Sequence, residues 1–69
     1  MQTKYRFIEF KPWGTEWKCF NTKAPIMLLG AVSYFKPWRQ WEFLPNPSTG
    51  YTIECLRDLA HFIGQLPKL

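Results

Sequence analysis

The stretch TIECLRDLAHFIGQL, residues 52–66, decides the fold because it is the clearest regular element in the chain. Thr52 is a favourable N-cap residue, whose hydroxyl can accept a hydrogen bond from a free main-chain N–H of the first turn. Gly64 and Pro67 provide stop signals at the other end. The pattern therefore predicts a helix over residues 52–65.

The predicted helix has a single apolar stripe. The apolar residues that recur at helical spacing are Ile53, Leu56, Leu59, Ala60, Ile63 and Leu66. The polar residues on the opposite side are Glu54, Arg57, Asp58, His61 and Gln65. Because only one stripe needs burial, the helix is expected to pack on one face of a sheet and to leave the other sheet face open.

Segments with the composition of strands precede the helix, at residues 4–10, 16–21, 26–35 and 39–44. Gly30 interrupts the third and most apolar segment, which predicts a bulge or the close approach of another backbone. Turns containing Lys-Pro-Trp are predicted at residues 11–14 and 36–39, the second without a glycine.

Residues 1–69 are therefore expected to form a single α+β domain. Two β-hairpins form one small antiparallel sheet, which packs against a single C-terminal helix in the order ββββα. The alternative is βββα. A domain of this size has a small core, and 4 Trp, 3 Tyr and 6 Phe are more large rings than it needs. Some of these rings are expected at the surface.

The net charge of +4 is unevenly distributed. Residues 1–47 contain seven basic and three acidic side chains, whereas residues 48–69 contain two of each. The excess positive charge predicts an acidic partner, either nucleic acid or an acidic protein surface. The alternative is that the charge serves only solubility.

The two cysteines, Cys19 and Cys55, are predicted to be free and partly buried thiols. Residues 1–7 have no apolar leader segment, so a reducing cytoplasm is the expected location. A disulfide remains the alternative, if Cys19 on a strand faces Cys55 on the helix. No apolar run approaches the roughly 18 residues of a membrane span, so no membrane partner is expected.

Residues for catalysis are few. His61 is the only histidine, and no phosphate-binding loop, HExxH or CxxC motif is present. Glu54, Asp58 and His61 could share one helix face and touch a metal, but a solvated helix face explains them equally well. We therefore expect no enzymatic activity, no catalytic residue, no cofactor and no metal.

A set of aromatic and basic residues in the two turns and the adjoining strand is the candidate binding site. Its members are Lys11, Trp13, Lys18, Lys36, Trp38 and Arg39. Cationic side chains neutralise phosphates or carboxylates, and tryptophan stacks on bases or fills protein pockets. The competing expectation, slightly favoured, is that Trp13 and Trp38 fold back to cap the core. Trp17 and Trp41 are expected in the core.

Residues 29–63 resemble a pattern found in small phage and prophage proteins. The matching parts are Leu29-Gly30, Trp38-Arg39, Phe43-Leu44-Pro45 and residues 55–62. The resemblance covers about half of the chain. It implies a phage-type accessory protein, a class that includes anti-CRISPR proteins and other inhibitors of host defence. The expected partner is then a host protein complex, and the expected state is a monomer or a homodimer.

A small sheet followed by one helix is also similar to the DNA-binding domains of integrase arm-binding regions and plant ethylene-response factors. Those domains insert a sheet into the major groove. Here only Arg6 and Arg39 lie in the predicted sheet, and three glutamates share it. A small nucleic-acid-binding module using its sheet face or turns is therefore the alternative function.

Overall fold

The computed structural model describes all of residues 1–69. Its elements are β1 (Ile8–Trp13), β2 (Glu16–Asn21), β3 (Ala24–Phe35), a 3-10 turn (Lys36–Trp38), β4 (Gln40–Pro45) and α1 (Ile53–Gly64). The strands form one antiparallel sheet in the order β1-β2-β3-β4. The predicted ββββα fold is confirmed, and every strand pairs with its neighbour in sequence.

The first strand begins later than predicted, because the chain bends at residues 6–7 and the residues before the bend run back along the outer edge of β1. The Phe10 N–H donates to the Thr3 carbonyl at 2.8 Å, and the Tyr5 N–H donates to the Ile8 carbonyl at 2.8 Å. Lys4 forms an isolated bridge with Glu9. The N-terminal segment therefore covers part of the outer edge of β1.

The predicted turn at residues 11–14 is wrong. Pro12 lies inside β1 opposite Trp17, and the actual turn is the two-residue loop Gly14-Thr15. Gly14 has φ 64°, the left-handed value that glycine supplies at the first position of a type II′ hairpin turn. Since Phe10 directs its N–H to the outer edge of β1, Pro12, two residues on, also has its nitrogen on that edge. No ladder hydrogen bond is lost.

The second turn is where it was predicted. The Arg39 N–H donates to the Lys36 carbonyl at 3.0 Å, and Pro37 lies in the first turn of the 3-10 segment. With no glycine in this loop, Arg39 itself takes a left-handed conformation, φ 53°. The loop thus returns the chain from β3 to β4 with four residues rather than two.

Both expectations for Gly30 are confirmed. Cys19 pairs with Gly30 while Phe20 pairs with Leu28, so Leu29 is an extra residue in β3. A Cβ atom on Gly30 would lie 2.5 Å from the carbonyl oxygen of Leu44. The bulge lets Leu29 turn into the core, and the glycine allows β4 to approach.

The helix begins as predicted but buries a different stripe. The Thr52 hydroxyl accepts a hydrogen bond from the Cys55 N–H at 3.3 Å. Ile53 and Leu56, predicted as core, are 69% and 54% exposed. The Phe62 ring stacks on Phe10 with centroids 3.8 Å apart, and this contact turns the helix toward its aromatic side.

The core lies between α1 and one face of the sheet. Its buried members are Ile8, Phe10, Cys19, Leu29, Val32, Cys55, Leu59 and Phe62. Trp17 and Trp41 pack against it as expected, both half-buried. The C-terminal segment covers the turn end of this face, where the Trp41 indole N–H donates to the Pro67 carbonyl at 2.8 Å.

Candidate functional site

The face of the sheet turned away from α1 has nothing packed on it, and we call it the open face. Phe10 and its partner Cys19 are buried under α1. Because side chains alternate along a strand, the residues directly before and after each of them point to the opposite face. The open face consists of Glu9, Lys11, Trp13, Glu16, Lys18, Phe20, Leu28, Ala31, Ser33, Phe35, Gln40, Glu42 and Leu44.

Two lysines lie directly opposite each other on this face. Lys11 pairs with Lys18 across β1 and β2. The Lys11 Nζ lies 5.6 Å from the centre of the Phe20 ring, and the Lys18 Nζ lies 5.0 Å from the Trp13 ring. Like charges in directly opposed positions oppose folding, and cation–π contacts offset part of that cost. We call Lys11, Trp13, Lys18 and Phe20 the basic-aromatic cluster.

The cluster has no internal counter-ion. The only ion pair in the chain joins Arg6 and Glu54, at 3.8 Å. Glu9 and Glu16 share the open face, but neither comes within ion-pair distance of a lysine. Both ammonium groups therefore remain available to an anionic group from outside.

The slightly favoured expectation that Trp13 and Trp38 cap the core is wrong, because they are 66% and 71% exposed. The interior is already filled by the stacked Phe10–Phe62 pair, with Trp17 edge-on to Phe62 at 5.2 Å. Two large rings are thus left in water without a packing role in the core. Such rings are enriched among residues that dominate binding energy.

The six predicted site residues fall into two groups at one end of the sheet. Lys11, Trp13 and Lys18 belong to the basic-aromatic cluster, whereas Lys36, Trp38 and Arg39 lie in the second turn. In a meander, the β1–β2 turn and the β3–β4 turn lie at the same end of the sheet. They are separated by two strand spacings, or roughly 10 Å. The Trp38 ring stands edge-on to Phe35, with centroids 5.3 Å apart.

Sequence reasoning missed Phe20 as a member of the cluster. The available signal was its position two residues after Lys18 in an alternating strand, which puts both side chains on one face.

Lys11 and Lys18 also begin a row of side chains across the open face that continues through Ala31 to Leu44. The row therefore combines positive charge at one end with apolar surface at the other.

Both cysteines are free and buried, in agreement with the free-thiol expectation. Burial, and to a smaller extent the neighbouring Cys55, raises the pKa of Cys19 to about 12. A thiol with this pKa stays protonated at neutral pH, and the thiolate is the nucleophilic form. Cys19 therefore acts as an apolar core side chain at neutral pH and not as a nucleophile.

His61 is engaged by the N-terminal segment. Its Nδ1 lies 2.7 Å from the Tyr5 hydroxyl, which also accepts a hydrogen bond from the Gln65 amide at 3.3 Å. Burial, followed by the charge of Asp58, raises the pKa of Tyr5.

No group of three or more His, Cys, Asp or Glu side chains in the structure could hold a metal ion. Glu54, one of the residues considered for such a site, pairs with Arg6.

No helix in the structure has both the length and the apolar character needed to cross a membrane. Comparisons of the chain with protein-family models, with curated proteins and with solved structures found no match. Function is therefore inferred from the geometry of the surface and from the pattern of the sequence.

Proposed function

We propose that this chain is a non-enzymatic binding protein that docks on a host macromolecular machine through the open face of its sheet. The observation that carries the proposal is the basic-aromatic cluster. It combines two unpaired lysines in opposed positions with an exposed tryptophan, on a sheet face that no part of the chain covers.

The chemistry of the open face favours a partner surface that is both acidic and apolar. Lys11 and Lys18 supply positive charge, and Leu44, at the far end of the same row, is about half exposed. Aromatic and cationic anchors surrounded by weaker contacts are typical of protein–protein interfaces. Charge complementarity would mainly set the association rate and the choice of partner.

The resemblance of residues 29–63 to small phage proteins supports a partner in the bacterial host. A defence complex of the kind blocked by anti-CRISPR proteins is the proposed target. In this proposal, the chain acts by occupying a surface that the complex needs, so no catalytic group is required.

The test is capture from a bacterial host lysate, followed by mass spectrometry, with matched variants. Lys18→Glu and Trp13→Ala alter the cluster, whereas Lys23→Glu makes the same charge change at an exposed position in the β2–β3 turn. A partner retained by the wild type and Lys23→Glu but lost by both cluster variants supports the proposal. Equal capture by all four folded proteins, or no specific capture, overturns it.

The alternative function is binding of single-stranded nucleic acid, and the lysines above aromatic rings favour it. Bases stack on exposed rings while cations neutralise the backbone. If Lys11 and Lys18 each contact a phosphate, the slope of log K against log salt should be about −1.4, and Lys11→Ala should reduce it to about −0.7. Anisotropy of a labelled oligothymidylate measures this slope, and no binding at low salt removes the alternative.

A further inference from the structure

The two edges of the sheet differ in how far they are closed. On β1, Thr3 and Tyr5 hydrogen-bond to Phe10 and Ile8, and Pro12 has no N–H to offer. A new strand could not pair along this edge without displacing the N-terminal segment. The β1 edge is therefore protected against strand addition.

The β4 edge is open. The Asn46 N–H donates to the Leu29 carbonyl at 2.8 Å, which sets the alternation of the β3–β4 ladder. Glu42 and Leu44 then direct their main-chain groups to β3, whereas Trp41 and Phe43 direct theirs away. No main-chain bond from elsewhere in the chain reaches Trp41 or Phe43 on that side.

A groove of about 480 Å³ runs beside the start of this open edge. It exists because α1 packs over β1 and β2 through Phe62 and leaves the helix-facing side of β4 partly uncovered. Its apolar lining is Trp38, Trp41, Ile63 and Leu66, and its cations are Arg39 and Lys68. No acidic side chain lines it, and neither cation is in an ion pair.

We infer that the β4 edge and this groove bind an extended acidic peptide from a partner protein by β-strand addition. The main-chain groups of Trp41 and Phe43 would pair with the peptide. A side chain of the peptide that faces α1 would enter the groove if apolar. The next side chain on that face, if acidic, would meet Arg39 or Lys68.

Charge complementarity selects a different chain over a second copy of this one. The acidic residue of β4 is Glu42, which lies on the open face and points away from the groove. A β4 strand from a second copy would therefore bring no carboxylate to Arg39 or Lys68. This edge site is separate from the basic-aromatic cluster, so either surface can fail its test without the other.

The probe is a labelled eight-residue peptide with the repeat Val-Thr-Glu-Thr, which puts Val and Glu on one face of an extended strand. One control replaces Glu by Lys. A second N-methylates the first Glu and the second Val, because the residues opposite Trp41 and Phe43 in an antiparallel strand share their face and supply the pairing N–H groups. Both controls should bind about tenfold more weakly than the probe. Equal binding of all three peptides, or no binding of the probe, overturns the inference.

Amide hydrogen exchange of the full chain supplies an independent readout. In dilute free protein, the Trp41 and Phe43 amides should exchange about tenfold faster than those of Glu42 and Leu44, and the probe should slow them about tenfold. Slow exchange before the probe is added contradicts an open edge. Protection that rises with protein concentration alone identifies a second copy as the occupant and overturns the acidic-peptide assignment.

Matched variants separate the groove from the open face. The Arg39→Glu, Lys68→Glu double variant should weaken the probe about tenfold, whereas the Lys11→Ala, Lys18→Ala double variant should leave its affinity unchanged. The reverse pattern would assign the peptide to the open face and overturn the proposed site.

Discussion

The tetrapeptide Phe-Lys-Pro-Trp occurs twice, at residues 10–13 and 35–38, and the two copies take different structures. The first copy forms the last four residues of β1, whereas the second ends β3 and makes the 3-10 turn. Phe10 is buried against Phe62, while Phe35 lies half-buried on the open face. Identical local sequence therefore does not determine which of the two structures forms.

The residues that follow each copy explain the difference. Gly14 supplies a positive φ directly after Trp13, so a two-residue turn is available and Pro12 can stay in the strand. No glycine follows Trp38, so the second copy must bend within itself and Arg39 takes the positive φ. Proline suits both structures, since a fixed φ fits a 3-10 turn and an edge strand can lack one N–H.

The largest expected difference between the copies is in stability. Phe10→Ala removes a fully buried ring that stacks on Phe62, and should cost about 3–5 kcal/mol in the free energy of unfolding. Phe35→Ala removes a half-buried ring and should cost about 1 kcal/mol. Urea denaturation followed by circular dichroism measures both.

A small domain has a total stability of only about 3–5 kcal/mol, so the Phe10→Ala variant should be largely unfolded in water. Phe10→Leu is the matched control, because it keeps an apolar side chain and should leave a measurable folded fraction. Equal costs for Phe10→Ala and Phe35→Ala would contradict the assignment of only the first copy to the core.

The second difference is a response to alkali. Phe10 pairs with Cys19, whereas Phe35 pairs with Gln40, which does not ionise. Burial raises the pKa of Cys19 from 9.0, the value of an unburied thiol, to about 12 in the folded chain. The unfolded thiol loses its proton first, so stability is complete below pH 9 and falls by about 1.4 kcal/mol per pH unit from pH 9 to 12.

Urea midpoints measured between pH 8 and 11 test this slope. Cys19→Ala should reduce the loss of stability with pH by about 1.4 kcal/mol per pH unit, which is the contribution of one proton. The variant also removes a small buried side chain, so its stability is compared across pH and not with the wild type at a single pH. An unchanged slope in Cys19→Ala would show that another group causes the alkaline loss of stability.

The sequence was sufficient for those parts of the fold that depend on local pattern. The order ββββα, the N-cap at Thr52 and the tight packing at Gly30 all follow from residue types and spacing. The predicted buried stripe of the helix was wrong, because Leu56 has the apolar spacing of a core residue but is exposed. The helix buries the side that carries Phe62 because Phe62 stacks on Phe10. Phe10 is distant in sequence, so the pattern of the helix alone does not reveal this contact.

The candidate site was predictable in composition but not in arrangement. Its basic and aromatic residues could be chosen from the sequence, but pairing of Lys11 with Lys18 depends on the register set by the Gly14-Thr15 turn. The expected turn at residues 11–14 would have given a different register. The open edge of β4 could not be foreseen, because strand order and the fold-back of residues 4–7 are tertiary features.

The two turns should respond in opposite directions to changes at their positive-φ residues. Gly14→Ala places a Cβ in open space but at a positive φ, and should destabilise the fold by about 1 kcal/mol or more. Arg39→Gly relieves the strain of the left-handed conformation at Arg39 and should stabilise the fold by about 0.5 kcal/mol, after the extra entropy of the unfolded chain is subtracted. Thermal denaturation measures both signs, and equal signs would contradict the assigned turn geometries.

The smallest expected difference concerns the surroundings of the two exposed tryptophans. Trp13 lies under the Lys18 ammonium, whereas Trp38 lies edge-on to Phe35. Iodide is attracted by a nearby cation and acrylamide is not, so the ratio of the two quenching constants reports local charge. Trp38→Phe isolates the exposed fluorescence of Trp13, and Trp13→Phe isolates that of Trp38.

Adding Lys18→Met to the Trp38→Phe variant should lower iodide quenching and leave acrylamide quenching unchanged, because only the local charge has been removed. The same change in the Trp13→Phe variant should have little effect, since the cations near Trp38 are Lys36 and Arg39 in its own turn. A loss of iodide quenching in both backgrounds would mean that Lys18 acts on both rings, and that the two copies share one electrostatic surface.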